Sequence, residues 1–311
     1  MERSHEDEGA VSLALPTPLT RASSLSTDRR DVYVKNETVL PTGSFKVRGA
    51  QHSLAANLAR GPIRELTAAS TGNHGAAVAW VARSAGIEVT IFVPRHPNPV
   101  KAARMHALGA RVMERGADLS AAIDAAYEYA RTTGAFFLHD AADADVPAGT
   151  ALIGAEIVEQ LPAVDRIYVP MGDTALIRGV ASAAKRLKPS VRIVGVVAAN
   201  APAYLLSWRE GRVVETPTAD TIADGLAVRR PLAPNVTVIR QLVDEVQAVT
   251  EEEMLSSMRH LHRHEGIIAE PAAAAATAAY LSDRAASPVN VVLVTGRNVA
   301  PDVATRAGIP S

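Results

Sequence analysis

From residue 65 onward, short apolar runs alternate with longer stretches whose apolar residues return every three or four positions. That is the pattern of repeated strand–helix–strand units around a parallel sheet. Strands are expected at 66–69, 89–93, 111–113 and 136–138, with helices at 75–84, 100–108 and 119–131 between them. This set makes one α/β lobe. A loop rich in Asp and Ala, 140–146, marks its boundary, and a second series follows: helix 151–160, strand 166–169, helix 176–187 and strand 191–197. Residues 200–236 read as a less regular stretch. An amphipathic helix is expected around 251–263, an alanine-rich helix at 272–281, and a strand at 289–294 so apolar that it must be central. The first ten residues and the extreme C-terminus read as disordered.

Composition changes this picture little but excludes several functions. The 311 residues exceed what a single core usually fills, so two linked lobes are expected. Hydrophobic residues make up 48% of the chain and aromatics only 4%, so alanine and valine must fill much of the interior. A formal net charge of -1 offers no electrostatic footprint for nucleic acid or an anionic membrane, and the expected ligand is a small molecule. Without cysteine there is no disulfide, thiolate nucleophile or Cys-ligated metal. No apolar run is long enough to span a bilayer, and the charged start is unlike a signal sequence, so a cytoplasmic location is expected.

Ligands of open α/β sheets bind at the carboxyl ends of the strands, which directs attention to four loops. Ser70-Thr71-Gly72-Asn73-His74-Gly75 joins a strand to a helix and offers backbone N–H groups to an anion such as a substrate carboxylate; a simple capped helix start has the same look. Gly172-Asp173-Thr174-Ala175-Leu176 has a geometry suited to phosphate, but Asp173 brings a negative charge that Arg178 or another cation must offset, unless it only caps the helix. Thr295-Gly296-Arg297-Asn298 ends the most apolar strand with a hydroxyl able to bond a ring nitrogen. Asp224-Gly225 sits in a small-residue segment and can be a plain turn.

A fifth segment, Thr42-Gly43-Ser44-Phe45-Lys46-Val47-Arg48-Gly49-Ala50, places a lysine at a helix start. Ser44 is the expected N-cap, which puts Lys46 in the first turn, where the helix dipole disfavours added positive charge. A lysine that gives up its proton more readily is a nucleophile. An ordinary solvated first-turn lysine is the other reading.

These segments, with Tyr33-Val34-Lys35-Asn36-Glu37, Thr221 to Val228 and Glu270-Pro271, resemble in order the fold-type II pyridoxal-phosphate enzymes of the tryptophan synthase beta superfamily. Within that group the chain most resembles the branch of serine/threonine dehydratases and serine racemase. The resemblance implies an α/β fold of two lobes, each a mostly parallel sheet flanked by helices, with the cofactor in the cleft between them. It implies a large cofactor-binding domain of residues 1–47 and 143–311, and a small mobile domain of 48–142 that carries the substrate loop. Lys46 would carry pyridoxal 5'-phosphate and move the substrate's α-proton, beside Phe45. Asn73 would bond the ring hydroxyl, Gly172, Asp173, Thr174, Ala175 and Leu176 would hold the phosphate, and Thr295 would meet the ring nitrogen. Ser70, Thr71, Gly72, Asn73 and His74 would hold the substrate carboxylate. A neutral partner for the ring nitrogen suits elimination. The expected reaction is deamination of a serine- or threonine-like β-hydroxy amino acid to a 2-oxo acid and ammonia, by a cytoplasmic homodimer.

Several departures from the family pattern shape this expectation. Related dehydratases carry four glycines where this chain has Gly172-Asp173-Thr174-Ala175; the expectation is that Thr174 donates its hydroxyl to the phosphate while Asp173 points away. Thr71 stands where serine racemase has a second acid/base serine, which keeps amino-acid racemisation open, as it does β-replacement. A non-catalytic ligand-binding homologue is the reading from another class. Arg297 replaces a small residue and is expected to read an extra anionic group on the substrate. His260 and His264 share a helix face but come without a metal-site motif, and no metal is expected. The sequence given has no long segment after its last strand of the kind that forms regulatory domains in some biosynthetic threonine deaminases, which points to a catabolic or pathway-specific role.

Overall fold

In chain order, β1 (Leu19–Arg21) and β2 (Asp31–Asn36) lead into α1 (Lys46–Leu58), the helix that carries the lysine. Then come β3 (Glu65–Ala69), α2 (Asn73–Ser84), β4 (Glu88–Val93), α3 (Pro99–Ala107), β5 (Arg111–Glu114), α4 (Leu119–Thr133) and β6 (Phe136–Phe137). The rest of the chain forms α5 (Val146–Gln160), β7 (Arg166–Pro170), α6 (Ala175–Leu187), β8 (Arg192–Ala198), α7 (Ala203–Glu210), α8 (Ala233–Leu242), β9 (Glu245–Val249), α9 (Glu251–Glu265), α10 (Pro271–Ser282), β10 (Val289–Val294) and α11 (Pro301–Ala307). The computed structural model describes residues 13–310, so the expected disorder of the first ten residues lies outside the described residues.

The strands form two sheets. One has the order β1-β2-β10-β7-β8-β9, parallel throughout except for the antiparallel edge strand β1; the other is parallel, in the order β5-β4-β3-β6. β10 lies between β2 and β7, in register from Val289 opposite Asp31 to Val294 opposite Asn36. Its run of Val, Asn and Leu is buried on both faces, as an interior strand of a parallel sheet requires. Because the strands of each sheet are parallel, their carboxyl ends gather on one side, and the loops that leave them meet there.

Local sequence explains most helix ends. Asn98 caps α3 by accepting from the Val100 and Lys101 N–H groups, with Pro99 preset for the first turn. Thr250 and Glu253 form a reciprocal capping box at α9, and Gly266, at φ 68°, closes that helix in the left-handed region. Alanine dominates the interior as the composition requires: in α10 every residue from Pro271 to Tyr280 is buried, because alanines keep the helix thin enough for the sheet and α9 to close around it.

Close helix contacts tie α1, α5 and α6 together. A Cβ added at Gly154 of α5 would lie 2.2 Å from the Val180 carbonyl of α6, and one at Gly149 would lie 2.3 Å from the Arg48 carbonyl of α1. Beneath α1, Arg48 bonds both Glu37 and Glu156, and Lys35 of β2 bonds Glu156 at 2.6 Å. The two cations and two anions balance, with Thr17 completing the set, so burial costs no net charge. This cluster fixes the start of α1 to β2 and α5.

Three expectations are corrected. Residues 200–236 are not irregular throughout: α7 and the start of α8 lie within them, with Pro202 before α7 and Gly211 in the left-handed region after it. Three strands were not expected: β1 has only three residues, β2 was read only as part of the motif at Tyr33 to Glu37, and the alternation of β9 includes Glu245 and Gln247. Ser44 is not an N-cap. Phe45 already has helical dihedrals and takes that place, while Ser44 makes an antiparallel bridge to Gly296 and its hydroxyl is buried without a partner.

Candidate active site

The carboxyl ends of β2, β3, β6, β7 and β10 open on one cavity of about 390 Å³. Lys46 enters it as the first residue of α1, with the Phe45 ring beside it 5.2 Å from the ammonium nitrogen. Ser70 to His74 arrive from β3, His139 and Asp140 from β6, Gly172 to Thr174 from β7, and Thr295 from β10. These segments lie far apart in the chain and meet only through the two parallel sheets.

Lys46 does not behave as the helix dipole alone suggests. Its Nζ bonds Asp140 Oδ2 at 3.1 Å and is in contact with Asp173 Oδ2. Burial would lower the lysine's pKa, but the two carboxylates outweigh it and hold the ammonium above its ordinary value. Magnitudes agree: a helix terminus is worth about 1 kcal/mol or less, whereas a charge pair at this distance in a partly buried site is worth on the order of a few kcal/mol. Burial also raises Asp140, yet the Lys46 charge keeps it below the usual carboxylate range. Asp173 is pushed up, by burial and by Asp140 beside it, and is the easier of the two to protonate.

The Asp173 loop is held from several sides. A Cβ at Gly172 would lie 2.0 Å from the Gly225 carbonyl, so only glycine fits there. Asp173 Oδ1 accepts from the Ala175 N–H at 2.8 Å, a bond to the residue two positions on that precedes the helix cap at Thr174, and the Asn235 amide donates to the Asp173 carbonyl. The expectation that Asp173 points away is therefore corrected: its other oxygen faces Lys46. Thr174 sits at φ 74°, unusual for a β-branched residue, with a buried hydroxyl that has no partner. Leu176 follows in the first turn of α6 and also lines the cavity.

Asn73 opens α2 and is fixed on both sides: Nδ2 donates to Glu270 Oε1 at 2.7 Å, and Oδ1 accepts from Asn298 Nδ2 at 2.6 Å. The second Nδ2 hydrogen remains for a ligand. Burial raises Glu270 to about 7 despite the Asn73 bond. The Gly72 N–H donates to Ser70 Oγ at 3.1 Å, and Thr71 is exposed on the cavity wall. His74 contributes its backbone to this loop, while its imidazole is buried, held below its ordinary pKa by burial, and donates from Nε2 to the Leu138 carbonyl at 2.9 Å.

Arg297 does not join the others. It is exposed outside the cavity lining, and its N–H donates to the Gly43 carbonyl on the far side of the Thr295 loop. The substrate-reading role expected of it has no geometric basis here. Among the cavity residues that had no assigned role in the sequence are Asp140, Glu270, Lys101 and Asp224. Lys101 of α3 pairs with Asp224 across the mouth, joining the half of the molecule built on the four-stranded sheet to the half built on the six-stranded one. Pairings between segments so distant leave no trace in local sequence pattern. The His260 and His264 rings lie 4.8 Å apart and tilted by 43°, with the Ser24 hydroxyl on His260 Nε2. Among the described residues, no group of three or more potential ligands is placed to hold a metal ion.

The chain matches the family described as pyridoxal-phosphate dependent enzyme over residues 12–296. It belongs to that family. It is 37% identical over 270 residues to an L-threonine ammonia-lyase of Thermotoga maritima, covering 86% of this chain and 67% of the relative. Among solved structures it resembles maize serine racemase, with a TM-score of 0.87 and 28% identity over 94% of this chain and 91% of that one. It also resembles the processed form of threonine deaminase isoform 2 from Solanum lycopersicum, with a TM-score of 0.88 and 27% identity over 94% and 82%. The family's cofactor is pyridoxal phosphate. The residues present suit it: a lysine inside the cavity, an unpartnered Thr174 hydroxyl at the start of α6, a free Asn73 hydrogen and a buried Thr295. Asp173 is the one group at odds with a phosphate.

Proposed function

We propose that this chain is a pyridoxal-phosphate-dependent ammonia-lyase that converts a β-hydroxy amino acid of the serine or threonine type to a 2-oxo acid and ammonia. The observation that carries the proposal is the convergence on one cavity of Lys46, the Ser70–His74 loop, the Gly172–Thr174 loop and Thr295, in a chain 37% identical to a threonine ammonia-lyase.

Bound there, pyridoxal phosphate supplies an electron sink for the substrate's α-carbon. Lys46 would hold the cofactor's reactive carbon and, once free of it, take the α-proton; for this it must leave Asp140 and Asp173, which hold it protonated. Backbone N–H groups of residues 70–74 at the start of α2 would orient the substrate carboxylate. Asn73, fixed by Glu270 and Asn298, would bond the ring hydroxyl with its remaining hydrogen. Thr295 would meet the ring nitrogen, and Thr174 would donate to the phosphate. The β-hydroxyl leaves with a proton as water, and hydrolysis of the released product takes water up again, so the net products are oxo acid and ammonia.

Residues 48–142 would act as a small domain moving against 1–47 and 143–311, a reading supported by the separate four-stranded sheet and by the Lys101–Asp224 pair at the cavity mouth. We further infer a cytoplasmic homodimer, on the family resemblance; among the described residues no helix is long and apolar enough to cross a membrane. A second reading, racemisation, is favoured by the Thr71 hydroxyl on the cavity wall and the likeness to a serine racemase. A panel of L- and D-amino acids assayed for oxo acid, ammonia and enantiomer exchange separates the two. Oxo acid and ammonia in equal amounts from L-serine or L-threonine support the lyase; enantiomer exchange without ammonia supports the racemase.

A further inference from the structure

We infer that Asp173 and the phosphate of pyridoxal phosphate compete for the same partners, so that this chain takes up its cofactor only by displacing its own carboxylate. The inference rests on the cofactor, not on which amino acid is turned over.

The competing contacts are specific. Asp173 Oδ1 accepts from the Ala175 N–H at 2.8 Å, one of the donors at the α6 N-terminus that a phosphate would use. Its Oδ2 is on Lys46, the residue to which the cofactor's aldehyde would be joined. Beside it the Thr174 hydroxyl is buried without a partner, a donor left over at the same helix end. The loop cannot withdraw to take the carboxylate with it, because Gly172 is packed against the Gly225 carbonyl and the Asn235 amide holds the Asp173 carbonyl. The side chain itself must turn.

The surrounding charges set the sign of the pH effect. Lys46 of α1 faces Asp173 directly, and Arg178 of α6 is the other cation that acts on it. Asp140, from the loop after β6, adds a negative charge, while His74 of α2 and Tyr204 of α7 are held in their neutral forms by burial. The phosphate would bring a second anion to the helix end that Asp173 already occupies. Like charges at one site favour protonation of the weaker acid. Asp173 therefore holds a proton to higher pH with the phosphate present than without it. Cofactor affinity is full below that window and falls as pH rises through it.

The test titrates the full-length chain with pyridoxal 5'-phosphate, followed by its visible absorption, and with pyridoxine 5'-phosphate, which has no aldehyde and cannot react with Lys46, followed by fluorescence. Both titrations run from about pH 6 to 9, on wild type, Asp173→Asn, Asp173→Gly and Asp140→Asn. The Asp173 variants are expected to bind both probes about tenfold more tightly at the upper pH, the equivalent of one pKa unit. With pyridoxine 5'-phosphate, which does not react with Lys46, their remaining pH dependence should be that of the phosphate's own ionisation, near about 6. Asp140→Asn should keep a pH-dependent profile, moved to lower pH because the Asp140 charge no longer raises Asp173. The inference is overturned if neither Asp173 variant binds more tightly, or if Asp140→Asn flattens the profile as much as they do. Using two replacements guards against one that fails to fold. The readout is binding, so the absence of lyase activity would count against the proposed function and leave this result standing.

Discussion

At the scale of single residues, Lys46 was legible because it stands in an ordered motif, but its surroundings were not. Sequence placed it at a helix start and suggested a lysine that loses its proton readily; the structure puts it between Asp140 and Asp173, which hold it charged. Neither carboxylate is a neighbour of Lys46 in the chain, so no local pattern could announce them. Glu270 is a similar case, visible in sequence only as part of Glu270-Pro271 and now seen to orient Asn73. Burial raises its pKa from 4.5 to about 7, so the folded chain holds a proton there that the unfolded chain has released. Its contribution to stability is present in full below about pH 4.5 and is lost as pH rises through about 7. Glu270→Gln should therefore match wild type in acid and exceed it at about pH 8 by on the order of 2 kcal/mol. Urea unfolding of both proteins at about pH 5 and 8 checks this; an equal difference at the two values would show that Glu270 does not titrate in this range.

At the scale of elements, the alternation of strand and helix from β3 to β8 was readable because apolar period and length agree in each segment. α7 was missed although Pro202 and Gly211 bracket it, because the absence of a clear apolar stripe hid eight helical residues. What sequence could not show is why α5 has glycines at 149 and 154. Both lie where another helix's carbonyl comes closer than any Cβ allows, and α5 thereby fixes the spacing between α1, which starts with Lys46, and α6, which follows the Asp173 loop. Alanine is the better helix former by about 1 kcal/mol, so Gly154→Ala would stabilise an open site. Here the opposite is expected, a loss of about 1 to 3 kcal/mol from overpacking. The midpoint of denaturant unfolding decides between them, and an unchanged or higher midpoint would mean the α5–α6 contact relaxes freely.

At the scale of the whole molecule, the two parallel sheets explain how loops from five strands meet at one lysine. The other lysines are committed elsewhere: Lys35 in the buried cluster with Glu156, Lys101 to Asp224, Lys185 to Asp244, and Lys188 to the Pro162 carbonyl. Order and spacing of motifs were enough to place the family and the fold, since both depend on segments that keep their sequence character. The pairing of Lys101 with Asp224 across the cavity, and of Asp173 with Lys46, depends on how the sheets face one another, which no single segment encodes. The central claim is that the architecture directs pyridoxal phosphate to Lys46 alone. Borohydride reduction of the cofactor-loaded protein, followed by peptide mass mapping, tests it directly. The expected result is a pyridoxyl group on Lys46 and on no other lysine; a group on Lys101 or Lys35 with Lys46 unmodified would contradict the account.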